Sequence, residues 1–307
     1  MSEFSVPSVN TFIIGGTGYL GSVLVEHLVT AGHAVTALAR SDRSAERLRA
    51  AGAVPLAGSI ADTAVLRTAA AAADAVVYAA SDYAPTDDSM RTELAAVAAV
   101  VEGAAGTGTT PKPVVYTSTG LVYGPDATDV TEDADLPAVS AQPVKAQAER
   151  IVLDDPRVAG IAIRAGLVFG RGGSGLVTGL IDAAAANGAS TYIGDGANAW
   201  YPVHVDDLAD LYLRAIARPV PGAFNAVGTV PFTFRELAEA IGDLTGAPSV
   251  SIPLEVAEAQ MGPSVRTLTT STHLLATKAR SAYDWRPSER SLLDDVRHGS
   301  YVAPTPA

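Results

Sequence analysis

A glycine-rich segment, GGTGYLG at residues 15–21, places the strongest constraint on how this chain can fold. Residues 11–14 before it have the composition of a β-strand. Residues 19–30 after it have the period of a helix, which is expected to stop at Gly32. The first glycine of the segment permits a tight turn, and the last lets the helix pack closely on the strand. The spacing therefore predicts a strand, a turn and a helix in direct succession.

Short β-branched runs alternate with alanine-rich segments of helical period as far as about residue 170. This alternation is typical of parallel βαβ units. Further strands are predicted at residues 34–39, 54–56, 75–79, 114–117 and 161–163. Further helices are predicted at residues 44–51, 63–73, 88–105 and 144–153. The predicted fold class is therefore α/β, with a doubly wound parallel sheet.

The rhythm becomes less regular after Gly170. Elements are predicted there at residues 191–193, 205–217, 234–244 and 291–297. We interpret this half as a smaller C-terminal substrate lobe, so that residues 1–172 form the first domain and residues 173–307 form a lobe interleaved with it.

Composition excludes several classes of function. The chain has 307 residues, of which 48% are hydrophobic, which is enough for a large core. A formal net charge of −12 without a run of Lys or Arg argues against nucleic acid and membrane surfaces as partners. The absence of cysteine excludes thiolate nucleophiles, and no His, Asp or Glu cluster has metal-ligand spacing, so we expect no metal. The sequence has no pattern of a signal peptide or membrane span, so we expect a cytoplasmic protein.

The turn at residues 15–21 suits a dinucleotide. Gly18 would let backbone N–H groups approach a pyrophosphate, and the start of the following helix supplies partial positive charge. The predicted fold is therefore a Rossmann doubly wound parallel sheet with a smaller C-terminal substrate lobe. The predicted cofactor contacts of the turn are Gly15, Thr17, Gly18, Tyr19, Leu20 and Gly21.

The end of the second predicted strand favours NADP (NADPH) over NAD. An NAD site usually places a carboxylate there to accept from the ribose 2′-hydroxyl, and this chain has Ala39 followed by Arg40 and Ser41. A guanidinium suits a 2′-phosphate, with Ser41 and Arg43 as further candidates. The alternative is that Arg40 only begins a solvated helix.

Five segments, in this order, resemble the short-chain dehydrogenase/reductase superfamily, in particular its extended or atypical branch of NAD(P)-dependent epimerases, dehydratases and reductases. They are GGTGYLG at residues 15–21, DAVVYAA at 74–80, VYTSTGLVYG at 115–124, RAGLVFG at 164–170 and VHVDDLA at 203–209. Together they cover nearly the whole chain.

The resemblance implies roles for individual residues. Thr119 matches the hydroxyl residue that hydrogen-bonds a substrate oxygen, with Ser118 beside it and Tyr123 in the same loop. Lys145 matches the lysine that binds the nicotinamide ribose and lowers the pKa of a tyrosine one helical turn earlier. The remaining implied cofactor contacts are Ser59, Ile60, Ala79, Ala80, Ser118 and Leu167.

The chain departs from this pattern at the tyrosine, because Ala141 occupies its position. Ser59 also stands where many relatives have aspartate, and Ala165 where many have proline. Without the tyrosine, another group must protonate the alkoxide formed by hydride transfer, or the reaction must need no strong acid, or the site binds without turnover.

Four side chains are candidates for the missing acid. Tyr83 is the leading one, because it follows the fourth strand; the alternative is that it packs a pocket wall. Tyr201 and His204 would face the substrate from the other lobe; alternatively, His204 caps the helix that follows it. Lys145 would donate a proton to the bound substrate oxygen through a water molecule. The substrate contacts we expect are Tyr83, Thr119, Tyr123, Tyr201 and His204.

These observations leave three functions open. The first is an NADP-dependent oxidoreductase acting on a carbonyl, hydroxyl or conjugated alkene of a small metabolite. The second is a non-redox isomerase or lyase on the same scaffold, and the third is a regulator that binds NADP(H) without turnover. The few charges at residues 173–186 favour a neutral, partly apolar substrate. Analogy also suggests a homodimer through helices at residues 88–105 and 137–153.

Overall fold

The computed structural model describes residues 8–81, 86–106, 110–125, 127–138, 140 and 142–303. The elements of the first half are β1 (Asn10–Ile14), α1 (Tyr19–Thr30), β2 (Ala34–Ala39), α2 (Asp42–Ala50), β3 (Val54–Ala57), α3 (Thr63–Ala72), β4 (Ala75–Tyr78), α4 (Asp87–Ala104) and β5 (Lys112–Thr119). A 3-10 turn (Gly120–Tyr123) is followed by β6 (Ala127–Val130), α5 (Pro143–Leu153), β7 (Val158–Ala165) and β8 (Leu167–Phe169).

The elements of the second half are α6 (Gly175–Asn187), β9 (Ser190–Ile193), β10 (Ala199–Trp200), β11 (Pro202–His204), α7 (Val205–Ala217), β12 (Gly222–Ala226), β13 (Phe232–Thr233), α8 (Phe234–Thr245), β14 (Ser249–Ile252) and α9 (Leu254–Met261). A second 3-10 turn (Pro263–Thr269) leads to β15 (Thr272–Leu274), α10 (Thr277–Tyr283) and α11 (Leu292–His298).

Seven parallel strands form the central sheet, in the order β12-β7-β5-β4-β1-β2-β3. The chain runs outward from β1 through β2 to β3 and then returns to place β4 on the other side of β1. The reversal opens a crevice at the carboxyl ends of β1 and β4, which is where ligands bind in sheets of this kind. The prediction of an α/β, doubly wound parallel sheet is confirmed.

Each face of the sheet buries its own apolar cluster. The cluster on one face joins the sheet to α1 and α7, with Leu24, Leu211 and Tyr212 fully buried. The cluster on the other face joins it to α3, α4 and α5, with Leu66 and Val100 among the buried residues. Helices on both faces explain why the central strands are nearly continuous apolar runs.

Eight of the described strands, β6, β8 and β10 to β15, had no counterpart among the predicted elements. The edge strand β12 has the sequence GAFNA, and glycine, alanine and asparagine have low strand propensity, so its composition gave little signal. β6 and β8 are four and three residues long, and they pair only with strands from the second half of the chain.

The C-terminal half covers the carboxyl edge of the sheet. β13, β10, β15 and β6 form a four-stranded sheet, and two-stranded pairs join β11 to β8 and β14 to β9. A third apolar cluster, which includes Phe169, Trp200, Phe232 and Phe234, lies within this region. α7 and β12 also come from this half but pack on the central sheet.

Candidate functional site

The glycine turn lies at the carboxyl end of β1, where the crevice opens. The Gly18 amide donates to the Gly15 carbonyl oxygen over 2.9 Å and closes the turn. Gly15 has a φ of +93°, and a Cβ there would lie 2.6 Å from the amide nitrogen of Ala80. A Cβ at Gly21 would lie 2.0 Å from the Gly15 carbonyl oxygen. Neither position can hold a side chain without moving backbone, which is the reason for this spacing.

The start of α1 has the features of an anion site. Gly18 is its N-cap residue, and no side chain caps the first turn. Gly18 is exposed, and Thr17 and Leu20 are half-buried. First-turn amides without an internal partner, together with the helix dipole, attract a phosphate. The geometry suits a pyrophosphate. The contacts of residues 15–21 with that group stay a prediction.

Tyr19 ties the glycine turn to the C-terminal half of the chain. Its hydroxyl donates to the Gly170 carbonyl oxygen over 2.6 Å. The Tyr301 hydroxyl donates to the Gly173 carbonyl oxygen over 2.6 Å and accepts from the Gly170 amide at 3.1 Å. Burial raises the pKa of Tyr19, so its phenol remains a hydrogen-bond donor. The glycine-rich residues after β8 are thus held against the start of α1.

Arg40 follows β2 and is exposed, whereas Ala39 before it is buried. Within the part of the chain that the structure describes, its guanidinium makes no hydrogen bond or ion pair. Ser41 caps α2 by accepting from the Ser44 amide at 3.2 Å. A cation without a partner among the described residues therefore stands at the end of the strand where a ribose 2′-substituent is expected.

The predicted adenine edge, at the end of β3, contains a carboxylate that we had not expected there. The Ser59 amide and hydroxyl both donate to Asp62 Oδ2, over 2.7 and 2.9 Å. These hydrogen bonds hold the pKa of the Asp62 carboxyl below its usual value. Ile60 lies half-buried between the two residues. Position 59 holds serine in place of the aspartate of the family pattern, and the carboxylate of Asp62 lies three residues later.

The two hydroxyl residues at the end of β5 have different surroundings, because successive side chains of a strand point to opposite faces. Ser118 is buried, and its hydroxyl donates to Glu149 Oε1. Thr119 is half-buried, and its Oγ1 accepts from the Leu121 amide at 3.3 Å. The Thr119 hydroxyl proton has no acceptor among the described residues. Thr119 therefore retains a free donor, whereas Ser118 belongs to a buried network.

That network is centred on a buried ion pair between α5 and β7. Arg164 donates to Glu149 Oε2 over 2.6 Å, and the two side chains are 6% and 2% exposed. A second Arg164 N–H donates to the Tyr123 hydroxyl over 2.6 Å, and that hydroxyl donates to Asn225 Oδ1 over 2.9 Å. Tyr123, predicted to contact substrate, thus uses its hydroxyl to join the 3-10 turn to β12.

Lys145 forms a second ion pair beneath the same edge of the sheet. Its Nζ lies 2.9 Å from Glu93 Oε1, and the two side chains are 13% and 9% exposed. The Tyr116 hydroxyl donates to the same carboxylate oxygen over 2.7 Å. The predicted ribose contact of Lys145 stays a prediction, but α5 does place this ammonium near the carboxyl end of β5.

His204 is buried as the N-cap of α7. Its Nδ1 accepts from the Asp206 amide at 3.3 Å, and its ring packs edge-on against Phe169 with centroids 5.2 Å apart. A Cβ at Gly170 would lie 2.2 Å from its Nε2. The capping alternative is confirmed. The Nδ1 lone pair is used by that cap, and the substrate contact of His204 stays a prediction.

Tyr201 stacks on a histidine that the sequence did not single out. Its ring lies 4.2 Å from that of His273, and His273 Nδ1 lies 2.7 Å from Asp129 Oδ1. Both rings are half-buried. Leu167 is also half-buried, on β8 at the edge of the third apolar cluster. Whether Tyr201 and Leu167 meet ligands stays a prediction.

Two positions of the mechanism lie outside the described residues, namely Tyr83 and Ala141. Among the residues that the structure does describe, no group of three or more His, Cys, Asp or Glu side chains could hold a metal ion. Over the same residues, no helix combines the length and the apolar character needed to cross a membrane.

Sequence reasoning missed Glu93, Asn225 and His273. Glu93 carried a signal, since it lies on the same helical stripe as the buried residues Ala96, Val97 and Val100. A single acid on an otherwise apolar face needs a buried partner, and that partner is the lysine. Asn225 and His273 lie on short strands whose pairing no local pattern revealed.

Comparisons with known proteins agree with this geometry. Residues 11–226 match the NAD dependent epimerase/dehydratase family. An uncharacterised protein of Saccharomyces cerevisiae is 29% identical over 94% of this chain and 98% of its own length. A 2-alkyl-3-oxoalkanoate reductase of Stenotrophomonas maltophilia is 30% identical over 78% of this chain and 76% of its own.

Solved structures share the fold across nearly the full length. The dTDP-glucose 4,6-dehydratase of Bacillus anthracis, in complex with NAD, has a TM-score of 0.77 at 19% identity, covering 95% of this chain and 96% of that one. The UDP-glucose 4-epimerase of Thermotoga maritima, with UDP-glucose, has a TM-score of 0.77 at 20% identity, covering 95% and 97%. With the family match over more than half of the sequence, these findings confirm the resemblance: the chain belongs to the NAD dependent epimerase/dehydratase family.

Proposed function

We propose that this protein is an NADP(H)-dependent oxidoreductase that acts on a carbonyl group of a small metabolite, or on the corresponding hydroxyl or conjugated alkene. The observation that carries the proposal is the pairing of an uncapped helix start behind the glycine turn with a free guanidinium at the end of the neighbouring strand. Relatives named as reductases support the redox class.

The residues present fit a dinucleotide. The amides of residues 17–21 would hold the pyrophosphate, Arg40 a 2′-phosphate, and Lys145 the nicotinamide ribose. The backbone at Ala79 and Ala80 lies so close to Gly15 that a Cβ at Gly15 would fall within 2.8 Å of it. When bound, the cofactor would supply or accept a hydride.

Thr119 is the proposed substrate anchor. Its half-buried hydroxyl has a free proton to donate, and a donor aimed at a carbonyl oxygen stabilises the charge that develops there during hydride transfer. Tyr83 remains the proposed proton donor, since it follows β4, and Lys145 is the second candidate, because two of its N–H groups have no acceptor among the described residues.

A partly apolar substrate is proposed on two grounds. The segment 171–186 has two charged residues, Arg171 and Asp182. Its one cation, Arg171, is committed to ion pairs with Glu26 and Asp206 and is not available to a charged substrate. The reductase relatives carry the names of a 2-alkyl-3-oxoalkanoate reductase and a farnesyl-dihydroquinoline-oxide ketoreductase, and both names describe carbonyl compounds with apolar chains.

Single-turnover oxidation of NADPH with a panel of 2-alkyl-3-oxo esters tests the proposal. We expect wild-type protein and Thr119→Ser to consume NADPH, and Thr119→Val to react on the order of 100-fold more slowly, because it lacks the donor. NADPH binding should be equal in all three. Equal rates in Thr119→Val and wild type would remove Thr119 from the site.

The alanine at position 141 favours a second candidate, a protein that binds NADP(H) and does not turn it over. Tight binding of NADPH with no oxidation across the panel supports that regulator. Conversion of a substrate without net change in the cofactor supports an isomerase or lyase.

A further inference from the structure

We propose that Glu93 is the positioning residue that fixes the Lys145 ammonium for the nicotinamide ribose, an inference that rests on the proposed nicotinamide cofactor. Glu93 is an acid on the buried face of α4 and is 7% exposed. A buried carboxylate is costly unless a partner compensates its charge, and structures keep such groups where position matters.

Two contacts restrain the lysine, and a third orients its carboxylate partner. Glu93 Oε1 lies 2.9 Å from Lys145 Nζ, and the same oxygen accepts the Tyr116 hydroxyl proton over 2.7 Å. The ammonium also lies 5.2 Å from the centroid of the Tyr116 ring. A free lysine side chain has several rotatable bonds whose entropy would be lost on binding a ligand. Here most of that ordering is present before any ligand arrives.

The restraint leaves binding capacity unused. An ammonium has three N–H donors, and Glu93 takes one. No other acceptor among the described residues engages Lys145. Two donors are therefore available on an ammonium held beside Tyr116 of β5, and two neighbouring ribose hydroxyls would match them.

The two tyrosines near the carboxylate stay neutral, and Tyr116 donates its hydroxyl proton to Glu93, whereas the buried Tyr78 hydroxyl has no partner among the described residues. Burial and the charge of Glu93 raise the pKa of Tyr116, and the same two causes raise the pKa of Tyr78. Tyr78 lies beside Tyr116, with ring centroids 5.6 Å apart. Neither phenol ionises near neutrality. Glu93 is therefore the charged partner that positions the Lys145 ammonium.

Ala141 explains why such a partner matters in this chain. The resemblance pairs the lysine with a tyrosine on the preceding turn of its own helix, and that tyrosine is absent. Glu93 reaches the lysine from α4 instead. The pair is neutral as a whole, so it places a hydrogen-bond donor beside the expected nicotinamide without adding net positive charge.

Isotope-labelled lysine and calorimetry with NADPH test the inference, because the chain has only three lysines, Lys112, Lys145 and Lys278. In the wild type, NADPH should shift the NMR signal of Lys145 and leave the other two unchanged. In Glu93→Gln, which keeps an oxygen acceptor but loses the charge, the dissociation constant for NADPH should rise about tenfold and the Lys145 shift should shrink.

Two variants control this measurement. Glu93→Asp keeps the charge and should recover part of the affinity for NADPH. This variant also tests the inference if Glu93→Gln does not fold. Glu102→Gln removes an exposed acid from the same helix, where it pairs with Arg67, and should bind NADPH as the wild type does.

The outcomes separate this inference from the proposed function. Wild-type protein that shows no response to NADPH overturns both. NADPH binding that leaves the Lys145 signal unmoved, or that is equally tight in Glu93→Gln, overturns the role of Glu93 and leaves the cofactor assignment standing.

Discussion

The two ends of the candidate site are built by different means. The proposed phosphate end consists of backbone: the turn from Gly15 to Gly21, with no side-chain cap at the start of α1. The proposed nicotinamide end consists of side chains in two buried ion pairs, Glu149–Arg164 and Glu93–Lys145, which join α4, α5 and β7 beneath β5. The first end depends on the absence of side chains, and the second depends on their exact partners.

The two ends should be sensitive to different substitutions. Adding a single methyl group at Gly15 or Gly21 should disable the phosphate end, because backbone lies within 3 Å of where the methyl would go. The nicotinamide end should tolerate changes of size but not the loss of one charge, because the other charge would remain buried.

The largest effect is expected at the buried pair. Arg164→Met leaves Glu149 without its cation, and we expect a loss of about 3–5 kcal/mol in the free energy of unfolding, measured by urea denaturation. Glu102→Gln, which breaks the exposed pair with Arg67, should cost less than about 1 kcal/mol. Equal losses in the two variants would mean that burial does not distinguish these pairs.

Gly21→Ala tests the phosphate end. Its Cβ would lie 2.0 Å from the Gly15 carbonyl oxygen, so the turn must shift, at a cost of about 1–3 kcal/mol and with loss of NADPH binding. Gly179→Ala is the matched control, because its Cβ would meet nothing within 4 Å on an exposed turn of α6, and it should be neutral or stabilising by up to about 1 kcal/mol. Undiminished NADPH binding in Gly21→Ala would contradict the assignment of this turn.

Arg40→Ala should have the smallest effect and acts on the ligand alone. Removal of one charge-assisted contact should weaken NADPH binding about tenfold and leave NADH binding and thermal stability unchanged. Arg49→Ala, in the last turn of α2, removes an equal charge away from the strand end and is the control. Parallel weakening of NADPH and NADH would refute the 2′-phosphate contact.

The same contrast explains what could be predicted from the sequence. The glycine turn and the βαβ alternation are local, since each depends on residues within about one element of each other, and the fold class they predict is confirmed. The capping role of His204 was among the local alternatives, because the cap and the amide it accepts from are two residues apart.

The ion pairs could not be predicted in this way. Glu93 and Lys145 are 52 residues apart, and Tyr123 and Asn225 are 102 apart. β12 brings Asn225 to the sheet from a segment with little strand signal. Such partners are set by the order of strands in the sheet, which short-range patterns do not encode.

Calorimetric titration of the wild-type protein with NADPH and with NADH tests the central claim most directly. We expect both nucleotides to bind at one site and NADPH to bind at least about tenfold more tightly, because Arg40 meets its additional phosphate. Absence of heat with either nucleotide, or equal affinity for the two, would contradict it.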